Sequence, residues 1–181
     1  MAKERKVSWT IDIHQNKDQV WKTLVDDFQD IQKFHPLLEG SHGLNDEVGV
    51  GCERQCDLDA KGNFVQERIT EIRDNRSFDI DIFHGGLPGI TSLKATVEVD
   101  EKAKGNTQVK FHMFFQPKLA IMGGIMSMML KKKFFDVLIG LKYYSETGNE
   151  VNKQNFPAIK EDFKHLIPGG SFGSKQAFAT T

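Results

Sequence analysis

The order of hydrophobic periods along this chain predicts an α+β fold: a strongly curved antiparallel β-sheet wrapped around a long C-terminal helix, with two short helices after the first strand. Three observations carry that expectation. Residues 7–14, VSWTIDIH, alternate apolar and polar side chains with the period of a half-buried strand. Between residues 39 and 116 the sequence breaks into further strand-like runs separated by turn-like joints. From Leu119 to about Thr147 the apolar spacing becomes helical.

Each element has a local reason. In the first strand Val7, Trp9, Ile11 and Ile13 share the buried face. Asn16 or Lys17 opens a helix whose buried stripe is Val20, Trp21, Leu24 and Val25, and Asp18 in its first turn suits the helix dipole. A second short helix, DIQKF, must stop before Pro36, because the residue ahead of proline disfavours helical angles. Strands are expected at 39–45, 48–58, 63–73, 76–83, 92–100 and 107–116. Their joints are DAKG at 59–62, DN at 74–75, HGGLPG at 84–89 and EKAKGN at 101–106. Successive short strands with tight joints imply an antiparallel meander. Gly148 is a plausible stop for the long helix. Residues 1–150 therefore read as a single domain, and 151–181 as a tail with one short helix near 157–166 before a mobile end, PGGSFGSKQAFATT. A long helix laid across a concave sheet touches it along a limited seam, so the rest of the concavity is a candidate pocket.

Composition excludes several classes. With 24 Lys and Arg against 25 Asp and Glu, the net charge is −1, and nothing favours nucleic acid as a partner. The apolar run LAIMGGIMSMML at 119–130 is only twelve residues long between Lys118 and Lys131, too short to span a bilayer. MAKERK is not followed by an apolar stretch, so no secretory signal is expected, and a cytoplasmic location is the default. Cys52 and Cys56 would lie about 13 Å apart on one strand, far beyond disulfide reach.

Five stretches, in order, carry a family likeness: VWKTLVDDFQDIQKFHP at 20–36, GVGCER at 49–54, QERI at 66–69, GGLPGITSLKATVEV at 85–99 and LKYYSETG at 141–148. Together they resemble the helix-grip fold of the START and birch-pollen-allergen superfamily (SRPBCC), in its polyketide cyclase/dehydrase branch. Phe34 stands where many relatives carry tryptophan. The resemblance implies an internal cavity for a hydrophobic or amphipathic ligand and leaves room for cyclase/dehydratase chemistry; no cofactor is expected.

The residues offer one polar pair for such a cavity. Arg54 shares a strand face with Val50, Cys52, Cys56 and Leu58, and Glu67 shares one with Val65 and Ile69. A two-residue loop at DAKG pairs Leu58 with Asn63 and sets Arg54 opposite Glu67; a three-residue loop with Gly62 in the left-handed region, at least as natural for this turn, would set it opposite Arg68. Opposed arginines repel, so charge favours the first register. The resemblance agrees, because it implies an inward-facing Glu at this position. The pair either satisfies itself as a structural bridge or orients a ligand, Arg54 taking a carboxylate or carbonyl and Glu67 a hydroxyl.

His35 in FHP and His84 in FHGG lie at loops that would rim the mouth, where a histidine can move protons near neutral pH. Glu67, Arg54, His35 and His84 are thus the candidates for any catalysis. No histidine or cysteine has metal-ligand spacing, and no GxSxG elbow or phosphate loop is present. GGLPG at 85–89 reads either as a cavity cover, with Leu87 and Pro88 touching ligand, or as a plain connector.

On a helical wheel, Met122, Met126, Leu130 and Phe134 belong to a normal inner stripe, and methionine suits a cavity of irregular shape. Phe111, Met113 and Phe115 would complete the wall from the last strand, with Cys56 and Ile69. Ile121, Ile125, Met128, Phe135 and Ile139 make a second apolar stripe, to be covered by the tail, by a second copy in a homodimer, or by a lipid surface. Three functional readings follow: a binding module for a lipid- or polyketide-like small molecule, a cyclase/dehydratase-type enzyme, or a dimeric scaffold without ligand.

Overall fold

The computed structural model describes residues 2–166, so the mobile end expected from Pro168 onward lies outside the described residues. Strand β1 (Arg5–Ile13) leads through an Asn16 cap into helix α1 (Lys17–Trp21). The Asn16 side chain accepts the Gln19 N–H at 2.9 Å, satisfying one of the donors a helix start leaves open. A π-helical turn (Lys22–Asp26) and a 3-10 helix (Phe28–Lys33) follow, placing Val25, Phe28 and Ile31 in the core.

The sheet then builds through β2 (Gly40–Gly43), β3 (Glu53–Asp57), β4 (Phe64–Arg73), β5 (Ser77–Gly85), β6 (Ile90–Ala103) and β7 (Asn106–Pro117). All seven strands form one antiparallel sheet in the order β1-β7-β6-β5-β4-β3-β2. The strand expected at 48–58 is cut to Glu53–Asp57, because Gly49 and Gly51 adopt φ of 78° and 91°, which break a strand. Asn45 stitches that loop: its Oδ1 accepts from Glu53 N–H at 3.1 Å and its Nδ2 donates to Gly51 O at 2.9 Å. Val50 is consequently exposed instead of sharing the inner face with Cys52.

Helix α2 (Gly123–Thr147) crosses the concave face after a 3-10 turn at Ala120–Met122. It ends at Gly148, whose φ of 73° closes the last turn with an N–H to the Tyr144 carbonyl at 2.8 Å. Close approach is built in at Gly140, where a β-carbon would lie 2.0 Å from the Phe34 carbonyl oxygen. Trp9 ties β1 to the helix by donating its indole N–H to the Lys131 carbonyl at 2.9 Å. Helix α3 (Phe156–Asp162) folds back on α2, burying Phe156 and Ile159 in the same core as Phe135 and Ile139, with Lys160 bridging Asp136 at 2.6 Å. The second apolar stripe is thereby divided. Phe135 and Ile139 are covered within the chain and unavailable to a dimer, whereas Ile121, Ile125 and Met128 stay exposed. Among the described residues no helix is long and apolar enough to cross a membrane.

Candidate functional site

Between the sheet and α2 lies a cavity of about 130 Å³. Its wall is almost wholly apolar: Phe28 and Ile31 from the 3-10 helix, Phe78, Ile80 and Ile82 from β5, Ala95 and Val97 from β6, Phe111 and Met113 from β7, and Phe134, Val137 and Leu141 from α2. The polar groups in this wall are Arg54, Glu67 and His35, with the Cys56 thiol beside them. An open cleft of about 860 Å³ adjoins the cavity and shares His35, Leu38, Leu58, Leu87, Phe134 and Val137 with it. Phe134 stands at the junction, its ring tilted against those of Phe111 and Trp9 at centroid distances of 5.0 and 5.3 Å.

The β3–β4 register sets the polar end. Arg54 pairs with Glu67, as charge requires, although Gly62 adopts a φ of 85°. Both features coexist because the loop holds four residues, 59–62, closed by Leu58 N–H to Asn63 O at 2.8 Å. Arg54 donates from Nε at 2.7 Å and Nη2 at 2.5 Å, both to Oε2 of Glu67. Its Nη1 donates to the Phe28 carbonyl at 2.5 Å, and the guanidinium lies over the Phe28 ring, 3.7 Å from the centroid. Thus a buried cation is satisfied by a carboxylate, a carbonyl and an aromatic face together. Glu67 Oε1 accepts no hydrogen bond among the described residues.

His35 is neutral here. Loss of solvation, reinforced by the Arg54 charge, pushes its pKa down from 6.5 to about 3. Its Nδ1 accepts the Leu37 N–H at 3.3 Å, so the ring proton sits on Nε2, which makes no hydrogen bond to the described residues. Burial, with the Glu67 charge second, pushes the Cys56 thiol up to about 12, so it is no nucleophile. Cys52 is likewise raised by burial, and both thiols are free.

Of the residues singled out from sequence, the structure gathers Arg54, Cys56, Glu67, Phe111, Met113, Phe134, Leu87 and His35 around the cavity, with Pro88 and Leu130 on the cleft. Ile69 and Phe115 are fully buried without lining either space. Met122 and Met126 line neither space: Met126 is buried beside the GGLPG loop, where a β-carbon on Gly89 would lie 3.4 Å from its Cε and 3.7 Å from that of Met122, and Met122 is exposed. His84 is on the outer face. A β-bulge at Phe83 gives β5 one extra residue opposite Gln66–Glu67, so the alternation reverses and His84 pairs with outward-facing Gln66, stacked on Phe64. Sequence reasoning missed Phe78, Ile80 and Ile82, whose alternation marked an inner face, and Leu24, Phe28 and Ile31, whose spacing is broken by the π and 3-10 turns. No group of three or more His, Cys, Asp or Glu is placed to hold a metal among the described residues.

Known proteins align with this architecture. A protein from Bacillus thuringiensis is 19% identical over 78% of this chain and 98% of its own, with a TM-score of 0.63. The Ara h 8.0201 structure is 16% identical, covering 79% of this chain and 98% of its own, with a TM-score of 0.64. Norcoclaurine synthase from Thalictrum flavum, solved with dopamine and hydroxybenzaldehyde, is 13% identical over 77% of this chain and 85% of its own, with a TM-score of 0.60. These likenesses show the helix-grip fold. No curated protein matches at the level of whole-sequence comparison. The family model described as "Polyketide cyclase / dehydrase and lipid transport" matches residues 4–146, and the chain belongs to that family.

Proposed function

We propose that this protein binds a hydrophobic or amphipathic small molecule, lipid- or polyketide-like, with its apolar part in the cavity and its polar end toward Arg54, Glu67 and His35. The observation that supports this most is an apolar wall broken at one place by polar groups whose remaining capacity is unspent among the described residues: Oε1 of Glu67 as acceptor and Nε2–H of His35 as donor. A cavity of about 130 Å³ takes a ring-sized group, since one near 150 Å³ accommodates benzene. A longer chain would continue past Phe134 into the cleft. The reading includes a cytoplasmic location, in keeping with two free, buried thiols. Titrating ligand-stripped protein with a fluorescent fatty acid tests it: saturable binding, displaced by unlabelled fatty acids or poly-keto chains, is expected. No saturable signal from any of them would remove the reading.

A cyclase/dehydratase-type activity is the second reading, supported by the same two groups. The Glu67 carboxylate could take a proton from a bound poly-keto chain, while His35 Nε2–H donates a hydrogen bond to the enolate oxygen that forms. Glu67→Gln would then abolish turnover of such a chain while leaving its binding intact; unchanged turnover excludes Glu67 from the chemistry.

A further inference from the structure

The N-terminal end of α2 is apolar where it should not be. Ile121, Ile125 and Met128 are 87%, 70% and 69% exposed, and Leu119 and Met129 are exposed beside them. Spacings of four and three residues place the first three on one ridge, the half of the second stripe that α3 does not reach. Lys118 precedes this ridge, and Lys131, Lys132 and Lys133, all exposed, follow within a turn. No Asp or Glu occurs between Glu101 and Asp136, and Asp136 is already bridged to Lys160. The loop against which this end of the helix packs is equally free of carboxylates, with none between Asp81 and Glu98. An apolar ridge collared by lysines, with no acidic residue in either segment, matches an anionic lipid surface: side chains enter the acyl boundary and ammonium groups meet headgroups. A second copy fits poorly, since an isologous contact would bring two lysine collars together with no carboxylate from these segments to receive them.

We propose that this ridge docks the protein on an anionic bilayer. The ridge lies on the face of the helix opposite Leu130 and Phe134, which border the cleft and cavity, so the docking does not depend on what the cavity holds.

The test is co-sedimentation of the full chain with vesicles of phosphatidylcholine alone or with roughly 30% phosphatidylserine. The chain should pellet with the anionic vesicles, stay in solution with the neutral ones, and be released at high salt. The triple variant Lys131→Gln/Lys132→Gln/Lys133→Gln should bind about a hundredfold more weakly, at roughly fivefold per lysine. Ile125→Asp should abolish binding while keeping the wild-type circular dichroism and fatty-acid titration, because that side chain is exposed and outside the cavity. Equal binding to both vesicle types, no binding to either, or an unaffected Ile125→Asp variant overturns the proposal. So does a two-copy mass in solution that Ile125→Asp reduces to one, which would assign the ridge to a dimer.

Discussion

Arg54 spends both Nε and Nη2 on a single oxygen of Glu67, at 2.7 and 2.5 Å, and the other oxygen has no partner among the described residues. A pair whose only duty was to join two strands would gain more from a bidentate grip on both oxygens. The one-sided geometry is what makes the bridge a candidate ligand anchor as well as a structural contact.

The structural share of that pair is measurable. Arg54→Met leaves a carboxylate in an apolar wall, and Glu67→Met leaves a guanidinium there; each should cost about 3–5 kcal/mol in urea unfolding. The double Met variant should return to within about 1–2 kcal/mol of wild type, because the uncompensated charge is gone. Singles that cost less than the double would show that the two groups do not depend on one another.

His35 predicts a pH signature. Its folded pKa, about 3, lies below the unfolded value of 6.5, so below 6.5 the unfolded chain takes up a proton that the folded chain refuses until much lower pH. Stability is therefore full above pH 6.5 and falls as the pH drops toward 3. Between pH 6 and 5, wild type should lose about 1.2 kcal/mol more than His35→Gln. Parallel curves for the two proteins would mean that the imidazole protonates freely in the folded state.

Ala95 lines the cavity and is buried, so Ala95→Phe should fill the space that the proposed ligand would take. Binding of a fluorescent fatty acid should weaken at least about tenfold, with a stability cost at or below the roughly 1–3 kcal/mol usual for overpacking. Undiminished binding would move the site out to the cleft.

Two glycines of α2 separate close approach from tolerance. Gly140→Ala would drive a β-carbon into the Phe34 carbonyl and should destabilise by about 1–3 kcal/mol. Gly124 has nothing within 4 Å of such a carbon, so Gly124→Ala should stabilise by roughly 0.5–1 kcal/mol. Thermal unfolding of the two variants checks the opposite signs.

What the sequence disclosed follows from which physical terms are local. The period switches, the Asn16 cap and the Gly148 stop are short-range, and they placed the elements. Arg54 opposite Glu67 was legible because like charge penalised the rival register. HGGLPG reads as a loop and so puts His84 at a rim, but β5 runs on to Gly85, and the extra residue Phe83, which leaves no mark in composition, turns His84 to the outer face. The alternating pattern runs through Gly49 and Gly51 and points Val50 inward; only their positive φ, a backbone property that glycine permits but does not announce, turns it out. Phe115 and Phe111 look alike on the same strand, yet only Phe111 borders a void. That difference depends on how far α2 stands from the sheet, a distance set by contacts such as Gly140 on Phe34 rather than by any periodicity.

The central claim, that the cavity is built for a hydrophobic guest, is tested most directly by native mass spectrometry of the chain purified from its own host without detergent. The expected result is a species heavier than the bare chain whose extra mass is lost on denaturation, passes into organic solvent, and is missing from the Ala95→Phe variant. A bare chain that also fails to take up added fatty acid or poly-keto compounds would contradict the account.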